Sequence, residues 1–310
     1  LFCSSGHIAP ATASIYRRAL TKLQDHIGPA RLVDQIDFAD LIRYDQHLRD
    51  RSGYAPATQR MYLKSASTFF NWLVRNRQIK ESPMIGLRIR QLPRNRRNRD
   101  KAATDAEFHQ LQAYARSRIV ATSGTVFLTA VRNYAILMTL ADTGARRGGI
   151  VSMTTTDIDL TTNEAWVTEK GDKSRPVGFG NETAHALNQW LRYRPAADTA
   201  ALFVATRGQP TPLYDGLITQ IIHRMCRAAG LDRVIGPHHF RHRKGHQLAD
   251  AGIPPTIAAT LLGHENVQTT LNHYYPEDYA TALDVAHKLA EPSRTTDENG
   301  VIRLDHKKPG

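Results

Sequence analysis

The chain has 310 residues, with 41 Lys plus Arg against 29 Asp plus Glu, a formal net charge of +12 and 41% hydrophobic residues. That length allows one large domain or two ordinary ones, and the apolar share is too high for a disordered chain. Two cysteines, Cys3 and Cys226, exclude a disulfide scaffold and a multi-thiolate zinc site, and apolar runs such as 134–141 fall far short of the roughly 20 residues that span a bilayer.

The expectation is therefore a soluble, cytoplasmic protein whose partner is a polyanion. No signal peptide is evident at the start, and the missing initiator Met implies a processed or trimmed product.

Residues 10–87 read as all-helical. In 12–26, Ile15, Ala19 and Leu23 recur at helical spacing with Tyr16 and Leu20 alongside. A second helix spans 38–48, with Asp37 as its N-cap. A third spans 57–74, with Met61, Tyr62, Ser65, Phe69, Trp72 and Leu73 facing inward, and Pro83 marks an end. Four or five short helices make a small bundle.

Arg88, Arg90, Arg94, Arg96, Arg97, Arg99 and Lys101 then fall within 14 residues, opposed only by Asp100. With Pro93, several Asn and no apolar period, 88–103 reads as a basic interdomain linker. Clustered guanidinium groups suit phosphates because each grips two oxygens; a solvated hinge is the plainer alternative.

Past the linker, Thr104 and Glu107 form a capping box that opens a helix at 104–116. Residues 131–142 form a buried helix with almost no charge. Residues 157–179 alternate and turn, with strands at 165–168 and 175–179 around 169–173, which is a β-hairpin. From 181 the pattern is helical again, with breaks at 208–212, 230–237, 252–255 and Gly263, and from Glu291 it becomes a loose polar tail. The layout is a helical domain at 1–87, the linker at 88–103, a mainly α domain with a small β-sheet at 104–290, and a tail at 291–310. Two domains on a cationic tether suit closure around a rod-shaped polyanion.

Four segments of the second domain carry polar residues that a core does not need. In 143–150, Gly144 permits a tight turn and Arg146 sits near a helix start, where side chain and backbone N–H groups favour an anion. Lys170 lies in the hairpin turn, where a lysine is ordinarily only solvated. Pro237 suits a first helical turn, placing His238, Arg241 and His242 on one face with Phe240 toward the core. His238, His242 and His246 repeat every four residues, as zinc ligands can, but no acid lies in the first turns and Arg241 and Arg243 repel a cation; no metal is expected. Last, His264 follows the Gly263 break, and Tyr274 and Tyr275 come about ten residues on; one could pack while the other is exposed.

Together these segments supply two Arg, one Lys, two His and a Tyr without a carboxylate, an inventory suited to a phosphodiester. Arg residues neutralise phosphate oxygens and transition-state charge. A Tyr hydroxyl is a competent nucleophile once deprotonated; its free pKa of about 10 calls for a cationic site and a His acceptor.

In these residues the chain resembles the tyrosine recombinases, or phage integrases, over nearly its whole length. Thr143-Gly144-x-Arg146, Lys170-Gly171-x-Lys173-x-Arg175, His238-x-x-Arg241-His242 and Leu261-Leu262-Gly263-His264 occur in the family's order, with a 24-residue gap from Arg146 to Lys170. The N-terminal part is similar to the helical, SAM-like core-binding domain of that family, through Thr58, Phe69-Phe70-x-Trp72-Leu73 and Ser82-Pro83.

The resemblance implies an α+β catalytic domain and a metal-independent, cofactor-free strand transferase. It implies that Arg146 and Arg241 hold the scissile phosphate, Lys170 is the general acid, His238 assists as a base and His264 hydrogen-bonds the phosphate. Tyr274 attacks to give a 3′-phosphotyrosine, and Lys173, Arg175 and the linker cations contact DNA. Partners implied are double-stranded recombination sites and three further copies, four protomers exchanging strands through a Holliday junction, with a free monomer or dimer and no membrane. The segment 278–289 would dock on a neighbouring protomer.

Two positions depart from the family's pattern. Nine residues after His264 stands His273 rather than the nucleophile, so Tyr274, at ten, is chosen over Tyr275. Three residues after Arg146 stands Gly149 where an acid is usual. The alternatives are a non-cleaving DNA-binding protein of the same fold, or topoisomerase-like nicking and resealing; a zinc-dependent phosphodiesterase is the weakest. A phage, transposon, integron or chromosome-resolution role stays open.

Overall fold

The computed structural model describes residues 2–4, 8, 10–50, 53–91, 98–169, 173–275, 294–296 and 302–304. The chain divides into two units, Leu1–Arg94 and Asn95–Gly310.

The first unit holds three α-helices among the described residues, α1 (Pro10–Ile27), α2 (Phe38–Asp50) and α3 (Pro56–Arg75), rather than four or five. Residues 76–91 turn instead of adding a helix. Asn76 closes α3 by donating its side-chain amide to the Trp72 carbonyl at 2.8 Å, and Arg77 follows at a left-handed φ of 56°, so α3 stops well before Pro83. Asp37 caps α2 as expected: its carboxylate accepts from the Asp40 N–H at 2.8 Å, and Asp40 accepts from the Asp37 N–H at 3.1 Å.

The core of this unit is built from Ala19 and Leu23 of α1, Leu41, Tyr44 and Leu48 of α2, and Tyr62, Leu63, Ala66, Phe70 and Leu73 of α3. Of the residues expected to face inward, Tyr62, Ser65 and Leu73 are buried, while Met61, Phe69 and Trp72 lie at the margin. Phe2 covers that margin, its ring 5.5 Å from both Phe69 and Trp72.

The second unit runs α4 (Asp105–Val120), α5 (Gly124–Thr143), α6 (Arg147–Ser152), β1 (Ile158–Asp159), β2 (Glu164–Glu169), β3 (Lys173–Gly178), α7 (Asn181–Tyr193), α8 (Asp215–Ala228), α9 (Pro237–Asp250), α10 (Pro255–Leu262) and α11 (Val267–Tyr274). The capping box starts α4: Thr104 Oγ1 accepts from Glu107 N at 3.1 Å, and Glu107 accepts from Thr104 N at 2.7 Å. α5 has the length and composition of a membrane span, longer than the expected 131–142, yet it is the core helix of the unit, with Val131, Ala135, Ile136, Leu137 and Leu140 fully enclosed.

The sheet is antiparallel in the order β1-β2-β3, with Val167 opposite Arg175 and Glu169 opposite Lys173. Because strand side chains alternate, Ala165, Val167 and Glu169 of β2 and Arg175 and Val177 of β3 share one face; Ala165, Val167, Arg175 and Val177 are all buried. In the expected loose tail, β4 (Arg294–Thr296) and β5 (Ile302–Leu304) pair antiparallel.

Candidate active site

Two glycine helix ends build the floor of the site. Gly144 closes α5 at φ 59° and Gly263 closes α10 at φ 65°, left-handed conformations that a side chain disfavours. Each turns its carbonyl to an arginine: Arg241 Nη1 donates to Gly144 O at 2.9 Å, and Arg146 Nη1 to Gly263 O at 3.2 Å. Arg146 is the N-cap of the short α6, and Arg241 projects from the second turn of α9.

A third arginine and one carboxylate complete the cluster. Glu169, at the end of β2, pairs with the Arg146 side chain and accepts from its backbone N–H at 3.1 Å. Its Oε1 lies 3.5 Å from Arg175 Nη2 and 3.8 Å from Arg241 Nη1. Arg175 Nη1 donates to the Leu261 carbonyl, tying β3 to α10. Arg175 therefore points into the protein, inside the cluster and not on the outer surface with the other cations of its motif: period-two alternation puts it on the inner face with Val177. Arg241 and Arg175 are almost wholly buried. Burial first, and then the charge of Arg146, push Arg241 down to about 9 and Arg175 to about 10. Both remain cationic at neutral pH. Arg241 Nη2 is buried with no hydrogen-bond partner among the described residues, a donor left for an anion.

Tyr274, the last residue of α11, is buried beside this cluster. Its ring lies on Gly245 of α9, where a Cβ would come within 2.4 Å of Tyr274 Cζ, and stacks 7° from parallel with His264 at 6.2 Å. Its hydroxyl meets His242 Nδ1 at 3.2 Å. Burial raises the phenol pKa, while Arg241 and Arg146 oppose the rise. His242 is pushed down to about 4, by burial first and then His273, and His264 to about 3, by burial and then Arg241 and Arg146. Both imidazoles are neutral at pH 7, so His242 can accept a proton. His264 Nδ1 meets Thr270 Oγ1 at 2.7 Å, leaving Nε2 for a second partner. Tyr275 instead donates its hydroxyl to the Ile253 carbonyl.

Five of the sequence-derived residues can thus be placed around the cluster. His238 is exposed on the first turn of α9, its pKa lowered by the surrounding protein and then by Arg241, Arg147 and Arg146. Lys170, Arg94, Arg96, Arg97, the side chain of Arg99 and the segment 278–289 lie outside the described residues. Lys173 is exposed and pairs with Glu265 at 2.8 Å; Arg88, Arg90 and Lys101 are exposed. Among the described residues no group of three or more His, Cys, Asp or Glu could hold a metal ion.

Sequence reasoning missed Glu169, because it assigned that residue to the turn; one more step of strand alternation points it inward. It also placed His242 beside Arg241 without giving it the tyrosine.

Comparison with known proteins follows the same geometry. The sequence model of the Phage integrase family matches residues 109–281, and that of the phage integrase N-terminal SAM-like domain matches residues 2–80. Tyrosine recombinase XerC of Alcanivorax borkumensis is 28% identical over 302 residues, covering 95% of this chain and 94% of that protein. Tyrosine recombinase XerC of Chromohalobacter salexigens is 29% identical, with 95% and 96% covered. Among solved structures, the XerH site-specific recombinase bound to its difH substrate superposes with a TM-score of 0.70 at 20% identity, over 90% of this chain and 79% of that one. A lambda integrase dimer bound to a COC′ core site gives 0.65 at 15% identity, over 89% and 93%. These likenesses share the fold described above.

Proposed function

We propose a specific residue mechanism for a chain that belongs to the phage integrase family and is a tyrosine-type site-specific DNA recombinase. Arg146 and Arg241 hold the scissile phosphate of a double-stranded recombination site, and His264 adds a hydrogen bond through Nε2. Tyr274 attacks phosphorus, its Oη–P bond forming as the P–O5′ bond breaks, to leave a 3′-phosphotyrosine and a free 5′-hydroxyl. The phenol proton passes to an imidazole; His242 already holds that hydroxyl, and His238 stands at the rim as the second base. Lys170 protonates the departing 5′-oxygen. The 5′-hydroxyl of a partner strand then displaces the tyrosine, and the ester conserves the bond energy, so no nucleotide cofactor is required.

The observation that carries this reading is the unpartnered Nη2 of Arg241, buried beside Arg146 and within electrostatic reach of Tyr274. Buried polar groups are ordinarily satisfied, and an open cationic donor there is a seat for an anion. The reading extends to four protomers on two DNA sites, exchanging strands through a Holliday junction in the cytoplasm. The exposed Arg88, Arg90 and Lys101 contact DNA phosphates.

The test is a covalent trap. Nicked duplexes from DNA flanking the gene and from a random pool are incubated with wild-type protein, Tyr274→Phe and Tyr275→Phe, with EDTA present, and run on denaturing gels. An SDS-stable adduct lost only in Tyr274→Phe is expected. Loss only in Tyr275→Phe would reassign the nucleophile, and binding without any adduct would favour a DNA-binding protein that does not cleave.

A further inference from the structure

We infer that Glu169 is the positioning carboxylate of this site, reaching from strand β2 into the place that Gly149 leaves without a side chain and setting the three arginines for the phosphate. The inference rests on the recombinase reading above.

Three guanidinium groups arrive from three elements: Arg146 from the start of α6, Arg175 from β3 and Arg241 from α9. Left to themselves they would repel. Glu169 touches all three, through the Arg146 pair, the 3.5 Å approach to Arg175 and the 3.8 Å approach to Arg241, and its side chain is only 6% exposed. One carboxylate against three guanidinium charges leaves two positive charges. A phosphodiester brings one negative charge, and its pentacoordinate transition state approaches two, so the cluster matches the transition state better than the ground state.

The space around Gly149 shows why the carboxylate comes from the strand. A Cβ built on Gly149 would sit 2.6 Å from Val167 Cγ1, 3.4 Å from Glu169 Cγ and 3.6 Å from Glu169 Oε1. Val167 is fully buried, so it has little room to withdraw. A side chain at 149 competes with Val167 for volume while Glu169 lies at contact distance beside it, and α6 carries no acid. Gly263 is matched in the same way: a Cβ there would lie 2.6 Å from Arg175 Nε and 3.1 Å from Glu169 Oε2. Gly263 therefore leaves room for the carboxylate and for Arg175, and Gly149 leaves room for the Val167 strand that carries it.

The experiment uses full-length wild-type protein, Glu169→Gln and Glu169→Asp. It measures the single-turnover rate of covalent adduct formation at saturating nicked duplex, the Kd for that duplex, and the melting temperature. Glu169→Gln keeps the shape and loses the charge; its rate should fall about 30-fold while Kd moves less than about threefold, as for an interaction realised in the transition state. Glu169→Asp keeps the charge but withdraws it by one methylene, and its rate should fall about fivefold, between the other two. A Glu169→Gln rate within about threefold of wild type, or a Glu169→Asp rate as low as that of Glu169→Gln, would overturn the inference. Should Glu169→Gln not fold, Glu169→Asp decides: a fivefold slower rate supports the proposal and an unchanged rate overturns it. Wild-type protein that gives no adduct would overturn the recombinase reading, and this inference with it, a result distinct from an active wild type with an indifferent Glu169.

Discussion

In the N-terminal unit the buried charges are carboxylates with exposed arginine partners, whereas in the C-terminal unit the arginines themselves are buried. The Asp40 side chain is 9% exposed and pairs with Arg31 at 3.2 Å and Arg43 at 2.5 Å, both well exposed. Asp45 is served likewise by Arg49. Burial alone would raise the Asp40 carboxyl, but the Asp37 backbone bond and the two arginines bring it below the ordinary range. Each of those acids is fully answered at the surface. In the C-terminal unit, Arg175 and Arg241 are buried, Arg146 is half-buried, and one acid answers all three.

Burial of arginine does not by itself mark a site. Arg132 is also buried, and it has every nitrogen engaged, on the Val204 carbonyl and the Asn133 side chain. Arg241 differs by keeping Nη2 open. Balanced charge with all donors used is a structural joint; surplus charge with a donor in reserve is a place for an anion.

The contrast can be broken severely at Gly245. Its Cβ would meet the Tyr274 ring at 2.4–2.6 Å, so Gly245→Ala should displace the ring and slow adduct formation about 100-fold or more. Alanine favours a helix over glycine by about 1 kcal/mol, so the melting temperature should hold steady while activity falls. Equal losses of both would mean that α9 itself is damaged. A smaller effect should appear with pH. His242 and His264 titrate at about 4 and about 3 in the folded protein against 6.5 in the unfolded chain. Below pH 6.5 the unfolded state binds the extra protons, so their contribution to stability is complete above 6.5 and is lost as pH falls toward 4. Melting curves from pH 7 to 4.5 should show a decline that is shallower in His242→Asn; parallel curves would remove His242 from that balance. The smallest effect belongs to the N-terminal unit. Asp40→Asn should cost about 1–3 kcal/mol of stability in that unit, read by denaturant unfolding, and leave the adduct rate at saturating DNA unchanged.

Much of this was legible in the residues. The Thr104–Glu107 capping box, the Asp37 cap and the alternation through 157–179 are local signals, and local physics decides them. The inventory of Arg146, Arg241, His264 and Tyr274 also stood in the sequence, because the segment order carried it. The rest depends on approach across the fold. Glu169 needed the strand to run one residue further, so that its parity pointed inward. The Tyr274 to His242 bond needed Gly245 to leave space on a different helix. Burial of Arg175 follows from β3 alternation, which puts it on the inner face with Val177, and its bond to the Leu261 carbonyl needed α10 to lie there. In the first unit, Phe69 and Trp72 looked like core, and a ring from Phe2 covers them instead.

The most direct test of the central claim sets Arg241→Ala beside Asp40→Asn in the covalent trap. Arg241→Ala removes the buried guanidinium with the open donor, and relieves repulsion with Arg146 and Arg175. The adduct rate should fall about 1000-fold at saturating DNA while the protein melts within a few degrees of wild type, and Asp40→Asn should cleave at the wild-type rate. An Arg241→Ala protein that cleaves within about tenfold of wild type would contradict the claim that this arginine seats the reacting phosphate.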